Sequence, residues 1–324
     1  PTSGLEFISS RHFPDEVQDD VLLNNTIGFL GTKQHEVLDS ESGYKTKHRH
    51  DLLTSKDGNF RPTDLEFAPD GSLYLCDWHN VLVGHMQHSA RDPLRDHKHG
   101  RIYRITYPGR PLVKLAKIHN ESLEELFKNL TLPEFRTRYR TRRELRGRPA
   151  SEVLPALKKW VNSHVLQDPS RELHYLEALW VTWGFNEVDE ELLKYLLTAR
   201  EDRVRAAAVD VLRYSGHQIK KQATLLQKTA HDKSTRVRLA TAVAASWLAP
   251  KQGLSILKEV AKNPSDKWLA PVLETATAHL KGQEIKSEPA ERIPQPTSPL
   301  QGEALTFFKK GHEVYSREGH CITC

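Results

Sequence analysis

The run Arg203-Val204-Arg205-Ala206-Ala207-Ala208-Val209-Asp210-Val211-Leu212 returns downstream as Arg236-Val237-Arg238-Leu239-Ala240-Thr241-Ala242-Val243-Ala244-Ala245. Arg171 stands at nearly the same spacing before the first copy, ahead of Leu173-His174-Tyr175-Leu176-Glu177-Ala178-Leu179-Trp180. Lys267 stands at nearly the same spacing after the second, ahead of Trp268-Leu269. Within one copy Val204, Ala207, Ala208, Val211 and Leu212 fall on one side of a helix of 3.6-residue period. One helix pair has nothing to bury that side against. Copies must therefore stack, and self-similarity at a fixed spacing of this size means a solenoid.

Working outward, Leu154, Leu157, Trp160 and Val161, then Leu192, Leu193, Leu196 and Leu197, then Ile256, Leu257 and Val260 supply the facing helices. The pattern predicts about four HEAT-like helix pairs over residues 150–282, a short curved solenoid whose expected role is protein–protein docking or scaffolding. Trp180, Trp183, Trp247 and Trp268 fall at core-like spacings and are expected inside it.

Upstream the period changes. Residues 1–116 read as strands and turns. Val21-Leu22-Leu23, Ile27-Gly28-Phe29-Leu30 and His35-Glu36-Val37-Leu38 are short apolar or alternating runs, broken by Asn24-Asn25, Gly31 and Ser42-Gly43. Asp64-Leu65-Glu66-Phe67-Ala68 alternates, Pro69-Asp70-Gly71 turns, and Ser72-Leu73-Tyr74-Leu75-Cys76-Asp77 returns as the paired strand. Arg101-Ile102-Tyr103-Arg104-Ile105-Thr106-Tyr107 alternates and ends at Pro108-Gly109. Such spacing suits blades of a β-propeller, with a sandwich as the alternative, and this length holds two or three blades, an incomplete propeller. Cys76 lies in an apolar run and is expected to be a buried, inert thiol.

Between the last two strands, the stretch from Asp77 to Arg101 gathers five His, three Asp and three Arg. Imidazole beside carboxylate supports acid–base chemistry or metal binding, and Arg grips carboxylate or phosphate. The competing reading is a long loop locked by its own ion pairs. His85, His88, Asp92, Arg95, Asp96, His99 and Arg101 are the candidate catalytic or binding residues. Their spacing matches no metal motif, so acid–base work is the stronger reading.

Residues 117–149 form a connector. Leu123, Leu126, Phe127 and Leu130 make one helical face that Asn120 or Ser122 can cap. Phe135–Arg148 then carries seven Arg beside Phe and Tyr. Nucleic acid is the weaker reading of that run; an interdomain helix whose Arg pair with acidic loops is preferred.

Residues 283–300 are Pro-rich and polar, a semi-extended tether by composition. Residues 301–324 begin another helix and end Cys321-Ile322-Thr323-Cys324. In C-x-x-C-H the two thiols add to the haem vinyl groups and the His ligates iron. That His would occupy position 325, so the chain is expected to be an internal fragment, cut within a c-type cytochrome domain. A redox dithiol or half a zinc site remains the alternative for the bare pair.

The 324 residues carry 47 Lys and Arg against 42 Asp and Glu, a net charge of +5 too small to demand a nucleic-acid partner. Three Cys exclude a disulfide scaffold. No apolar run reaches the length of a membrane span.

Arg61-Pro62-Thr63-Asp64-Leu65-Glu66-Phe67-Ala68-Pro69-Asp70-Gly71-Ser72-Leu73-Tyr74, with the Gly84-His85-Met86-Gln87-His88 and Arg91-Asp92-Pro93-Leu94-Arg95-Asp96-His97-Lys98-His99-Gly100-Arg101 segments that follow, resembles a planctomycete and verrucomicrobial (PVC-type) family of haem-binding multidomain proteins. In that family a propeller similar to quinoprotein sugar dehydrogenases precedes HEAT repeats and a c-type haem domain. The resemblance implies a periplasmic or membrane-associated dehydrogenase. It would oxidise a small sugar- or alcohol-like substrate and pass electrons to haem c on Cys321 and Cys324, then to a redox partner protein. A quinone cofactor or a divalent cation in the propeller is implied only distantly. The alternative is a non-enzymatic propeller–HEAT scaffold carrying a haem for sensing or relay.

Overall fold

The computed structural model describes residues 2–83, 91–163, 170–283 and 300–313. Residues Pro1–Thr277 form one compact unit and Ala278–Cys324 a second.

In the first unit, the described strands form two antiparallel meanders. β1 (Thr2–Phe7), β2 (Val21–Asn25), β3 (Gly31–Ser40) and β4 (Gly43–Thr54) pair in that order, and β5 (Pro62–Phe67), β6 (Leu73–Asp77) and β7 (Arg101–Ile105) make the second sheet. Period-2 alternation decides the faces: in β6, Leu73 and Leu75 are buried while Tyr74 and Cys76 are exposed. Ile8, Phe13, Leu22, Leu65, Phe67 and Leu73 share one core, with the Phe13 and Phe67 rings edge-on at 5.4 Å. The β5–β6 turn forms where composition places it. Gly71 takes φ +82°, its N–H donates to Ala68 O, and Asp70 accepts from the Ser72 amide and hydroxyl. β1 meets β5 at Gly4, where an added Cβ would lie 2.6 Å from the Asp64 Cα.

Several expectations change here. Ile27–Leu30 is a bend, because Gly28 at φ +78° breaks extended backbone and leaves Ile27 46% exposed. Cys76 is an exposed free thiol, on the opposite face of β6 from Leu75. β1 and β4 are strands that hydrophobic patterning missed. The described strands make two open sheets and no closed barrel.

The helices follow: α1 (Leu123–Asn129), α2 (Phe135–Arg146), α3 (Ala150–Ser163), α4 (Arg171–Gly184), α5 (Glu190–Leu196), α6 (Asp202–Tyr214), α7 (Gln222–Thr229), α8 (Thr235–Ala245), α9 (Pro250–Val260) and α10 (Leu269–Leu280). Ser122 caps α1 by accepting from the Glu125 amide. The repeated helices α6 and α8 bury Val204, Ala208, Val211 and Leu212, and Val237, Ala240, Ala244 and Ala245.

The repeated Arg-Val-Arg has two separate uses. The second Arg of each copy is buried: Arg205 is 5% exposed and Arg238 4%. Arg205 donates to the carbonyls of Ala199 and Arg200, and Arg238 to those of Asp232 and Lys233, the same positions one repeat on. The Arg205 fork also grips both Asp232 oxygens at 2.7 and 2.8 Å. Carbonyls of the loop between two helices are thus satisfied by a buried Arg of the helix that follows.

The four tryptophans expected in the core lie at or near the surface. Trp180 and Trp183 are half-buried, Trp247 is 60% exposed and Trp268 40%. Two of them pack against one surface ring, Tyr214, instead of entering the core. Trp183 stacks on Tyr214 at 5.5 Å, Tyr214 meets Trp247 edge-on at 5.3 Å, and the Arg213 guanidinium lies 4.2 Å over the Tyr214 ring.

In the second unit, α11 (Gly302–Glu313) has no buried side chain among its described residues, and Phe307 is 67% exposed. The tether expected at 283–300 lies outside the described residues except at its two ends. No described helix is long and apolar enough to cross a membrane.

Candidate functional site

The β6–β7 loop is organised from Asp77, the last residue of β6, whose side chain points inward and is fully buried. Its Oδ1 accepts from the Arg61 and His79 amides at 2.7 and 2.8 Å, and its Oδ2 accepts from Arg101 Nε at 2.7 Å. Arg101 also donates to Asp57 at 2.9 Å, so its fork is occupied by two carboxylates. Asp57 is held below the usual carboxylate range, first by the Asn59 amide and then by Arg101.

Asp96 is the second centre. Its Oδ1 accepts from the Lys98 and His99 amides, and its Oδ2 lies 2.8 Å from His99 Nδ1 and 3.5 Å from His79 Nε2. The Lys98 amide, then the His99 ring, pull its pKa down to about 2. At neutral pH Asp96 is a fixed anion and too weak a base to take a proton; what it can do is orient His99. The His99 side chain is 70% exposed, so its Nε2 is open to solvent. His79 adopts φ +54°, and its buried Nδ1 has no hydrogen-bond partner among the described residues.

Of the predicted residues, the structure thus brings Asp96 and His99 together and assigns Arg101 to holding the loop base. Asp92 closes a turn through its carboxylate and its carbonyl, which accept from the Leu94 and Arg95 amides. Arg95 reaches the Leu82 carbonyl at 3.4 Å. His85 and His88 lie outside the described residues, as do Cys321 and Cys324. Residue type alone missed His79, Asp77, Asp57 and Arg61. For Asp77 the signal was its inward register in the strand alternation. Among the described residues, no group of three or more His, Cys, Asp or Glu is placed to hold a metal ion.

A second constellation lies where the β3–β4 hairpin meets the solenoid. Asp39 accepts from Arg203 and Arg236, each at 2.6 Å. Their hydrogen bonds, Arg236's first, hold Asp39 below its ordinary pKa. Ser42 donates its amide and hydroxyl to Asp266, and Trp268 Nε1 donates to Ser40 O at 3.1 Å. The first Arg of each repeat therefore grips the hairpin while the second holds the repeat. Helix α2 adds further ties: Arg136 to Glu6, Arg140 to Glu66, and both Arg138 and Arg142 to buried Glu177. Arg11 forks onto Glu134 at 2.7 and 2.9 Å. Arg136, Arg138, Arg140 and Arg142 of the connector run thus pair with carboxylates of this same chain.

Comparison with known proteins adds two findings. Residues 190–276 match a family model described as HEAT repeats, and residues 1–109 match one described as a domain of unknown function (DUF7133). No curated protein and no solved structure matches the chain.

Proposed function

We propose that the chain belongs to a haem-binding electron-transfer protein of the PVC-type family, a periplasmic dehydrogenase whose β module holds the last blades of a propeller. The observation that carries this reading is the Cys321/Cys324 pair following a helix that leaves Phe307 exposed. Two thiols separated by two residues fit thioether attachment to a porphyrin, and the porphyrin face is an apolar surface suited to cover such a helix. Covalent haem supplies one-electron transfer. At the other end, His99 held by Asp96 supports the proton acceptor that oxidation of a small hydroxylated substrate requires. His79, whose Nδ1 has no hydrogen-bond partner among the described residues, supports a substrate hydrogen-bond acceptor or donor beside it.

The test is covalent haem. The full-length protein, exported in a host with haem-attachment machinery, is expected to retain haem on a denaturing gel, and Cys321→Ala with Cys324→Ala is expected to abolish it. Zinc or free thiols at that pair, with no haem retained, would sink the reading.

A second reading, an interaction scaffold, is favoured by one observation. The hairpin clamp fixes the β module against the repeats, and Arg101 and Asp77 are committed to structure. Wild-type haem that stays oxidised across a panel of sugars and alcohols would select it.

A further inference from the structure

A groove of about 910 Å³ runs along the repeats between α5 and α7. Lys194, Arg200, Lys221, Lys228 and Lys233 line it, and all five are exposed. Lys194 and Arg200 have carboxylates beside them, Glu190 at 2.6 Å and Glu172 at 3.6 Å. Lys221, Lys228 and Lys233 have no carboxylate partner among the described residues. The described lining contains one acidic residue, Asp232, already held by both arms of Arg205. The groove is therefore strongly positive, and these three lysines are uncommitted among the described residues.

Its floor is not polar. Leu197 and Ala199 are buried and Leu225 is half-buried along its length. An apolar floor under a cationic rim is the complement of an amphipathic helix with aliphatic residues on one face and carboxylates on the other. The chemistry disfavours other occupants. A small anion needs convergent buried donors, and the buried guanidinium of Arg205 directs its donors to Asp232 and the Ala199 and Arg200 carbonyls. Single-stranded nucleic acid needs rings to stack on, and no aromatic residue is among the described residues that line the groove. A membrane surface meets protruding amphipathic elements, not a concave channel.

We propose that this groove is the docking site for an acidic, amphipathic helix of a partner protein. The proposal does not depend on haem, and a chain that carries none would still bind.

The experiment is fluorescence anisotropy on the full chain with a labelled model peptide bearing Leu on one helical face and Glu on the other. A scramble of identical composition, an oligouridine and phosphatidylserine vesicles serve as competitors. The expected result is saturable binding that weakens with salt, is displaced by the unlabelled peptide, and is little affected by the scramble, oligouridine or vesicles. Lys221→Glu, Lys228→Glu and Lys233→Glu together are expected to weaken it by about tenfold or more. Circular dichroism and an unchanged melting temperature show that the variant folds. If it does not, Leu225→Gln in an otherwise native groove is expected to weaken the peptide selectively over the scramble. Equal binding of peptide and scramble, stronger displacement by oligouridine or vesicles, or full affinity in the folded charge-reversed variant would overturn the proposal.

Discussion

Asp39 and Arg236 are 197 residues apart in sequence and joined by a 2.6 Å hydrogen bond. Arg203 completes the clamp on the other carboxylate oxygen. The two arginines occupy the same position in successive repeats, so one carboxylate at a hairpin tip reads the repeat spacing directly. A solenoid usually presents such an edge to a partner; here part of it is occupied by the chain's own β module.

The clamp makes the seating of the hairpin pH-dependent. Asp39 has a lowered pKa in the folded state, so its contribution is fully present above the ordinary carboxylate range and is lost as pH falls through the lower, folded value. The loss begins near pH 4 and completes below it. The Asp39 side chain is 52% exposed, which limits the contribution to about 1 kcal/mol or less after screening. Asp39→Asn is expected to lower the urea midpoint at pH 7 and to flatten its fall between neutral and acid pH. An unchanged pH profile would show that the clamp is incidental.

Glu177 is a more costly residue to lose. Its side chain is 6% exposed and accepts from Arg138 and Arg142, which are themselves mostly covered. Arg142 also lies 5.2 Å over the Trp180 ring, so it has little freedom to swing into solvent. Glu177→Ala removes the carboxylate from two largely covered guanidiniums, of which Arg138 keeps only the Leu132 and Pro133 carbonyls, and is expected to cost about 3 kcal/mol. Arg142→Ala alone should cost less, because Arg138 still satisfies Glu177. Urea unfolding of both variants checks the order.

Gly43 tests how closely hairpin and solenoid fit. A Cβ there would lie 2.8 Å from atoms of the Trp268 indole, whose Nε1 donates to Ser40 O. Gly43→Ala must displace the ring and stretch that bond. The expected loss is about 1–2 kcal/mol, with a red shift in tryptophan emission as Trp268 moves into water. Gly58→Ala, where an added Cβ meets nothing, is the control and should leave both observables unchanged.

The helical half was legible in the sequence because each repeat advertises itself through apolar residues at helical spacing. The β5–β6 hairpin was legible because Pro69-Asp70-Gly71 favours a single tight backbone path. Strand β4 was not. Residues 45–49, Lys-Thr-Lys-His-Arg, are all exposed, so no alternation marks them, and the strand is held by its backbone ladder to β3. The tryptophans misled for the opposite reason: large rings at helical spacing look like core, but Trp183, Tyr214 and Trp247 pack against each other on the surface. The clamp left no local trace, since Asp39 is ordinary until the chain brings Arg203 and Arg236 to it. In the loop, residue type pointed to Asp96 and His99, while the organising role of Asp77 and the strain at His79 are properties of the backbone.

The loop separates the enzymatic reading from the structural one. Asp96, with its pKa at about 2, stays charged throughout the neutral range, so it does not exchange protons during turnover. Its hydrogen bond to Nδ1 fixes which nitrogen of His99 faces solvent. If His99 accepts the substrate proton, His99→Gln in the full-length protein is expected to slow substrate-dependent haem reduction about 100-fold without altering haem content. Asp96→Asn should produce a smaller loss, because the amide oxygen can still accept from Nδ1 but no longer as an anion. His99→Gln should keep the melting temperature of the parent at pH 7, since the His99 side chain is 70% exposed, whereas Asp96→Asn is expected to loosen the loop whose Lys98 and His99 amides the carboxylate holds. Asp96 also predicts an acid transition of the loop itself. Its depressed pKa stabilises the Lys98 and His99 amides in place above about pH 4 and releases them as pH falls toward 2. Amide resonances of Lys98 and His99 should therefore shift together in that window and remain still in Asp96→Asn. Unaltered haem reduction in His99→Gln, alongside an intact acid transition in the parent, would make this loop a structural lock and remove it from the catalytic account.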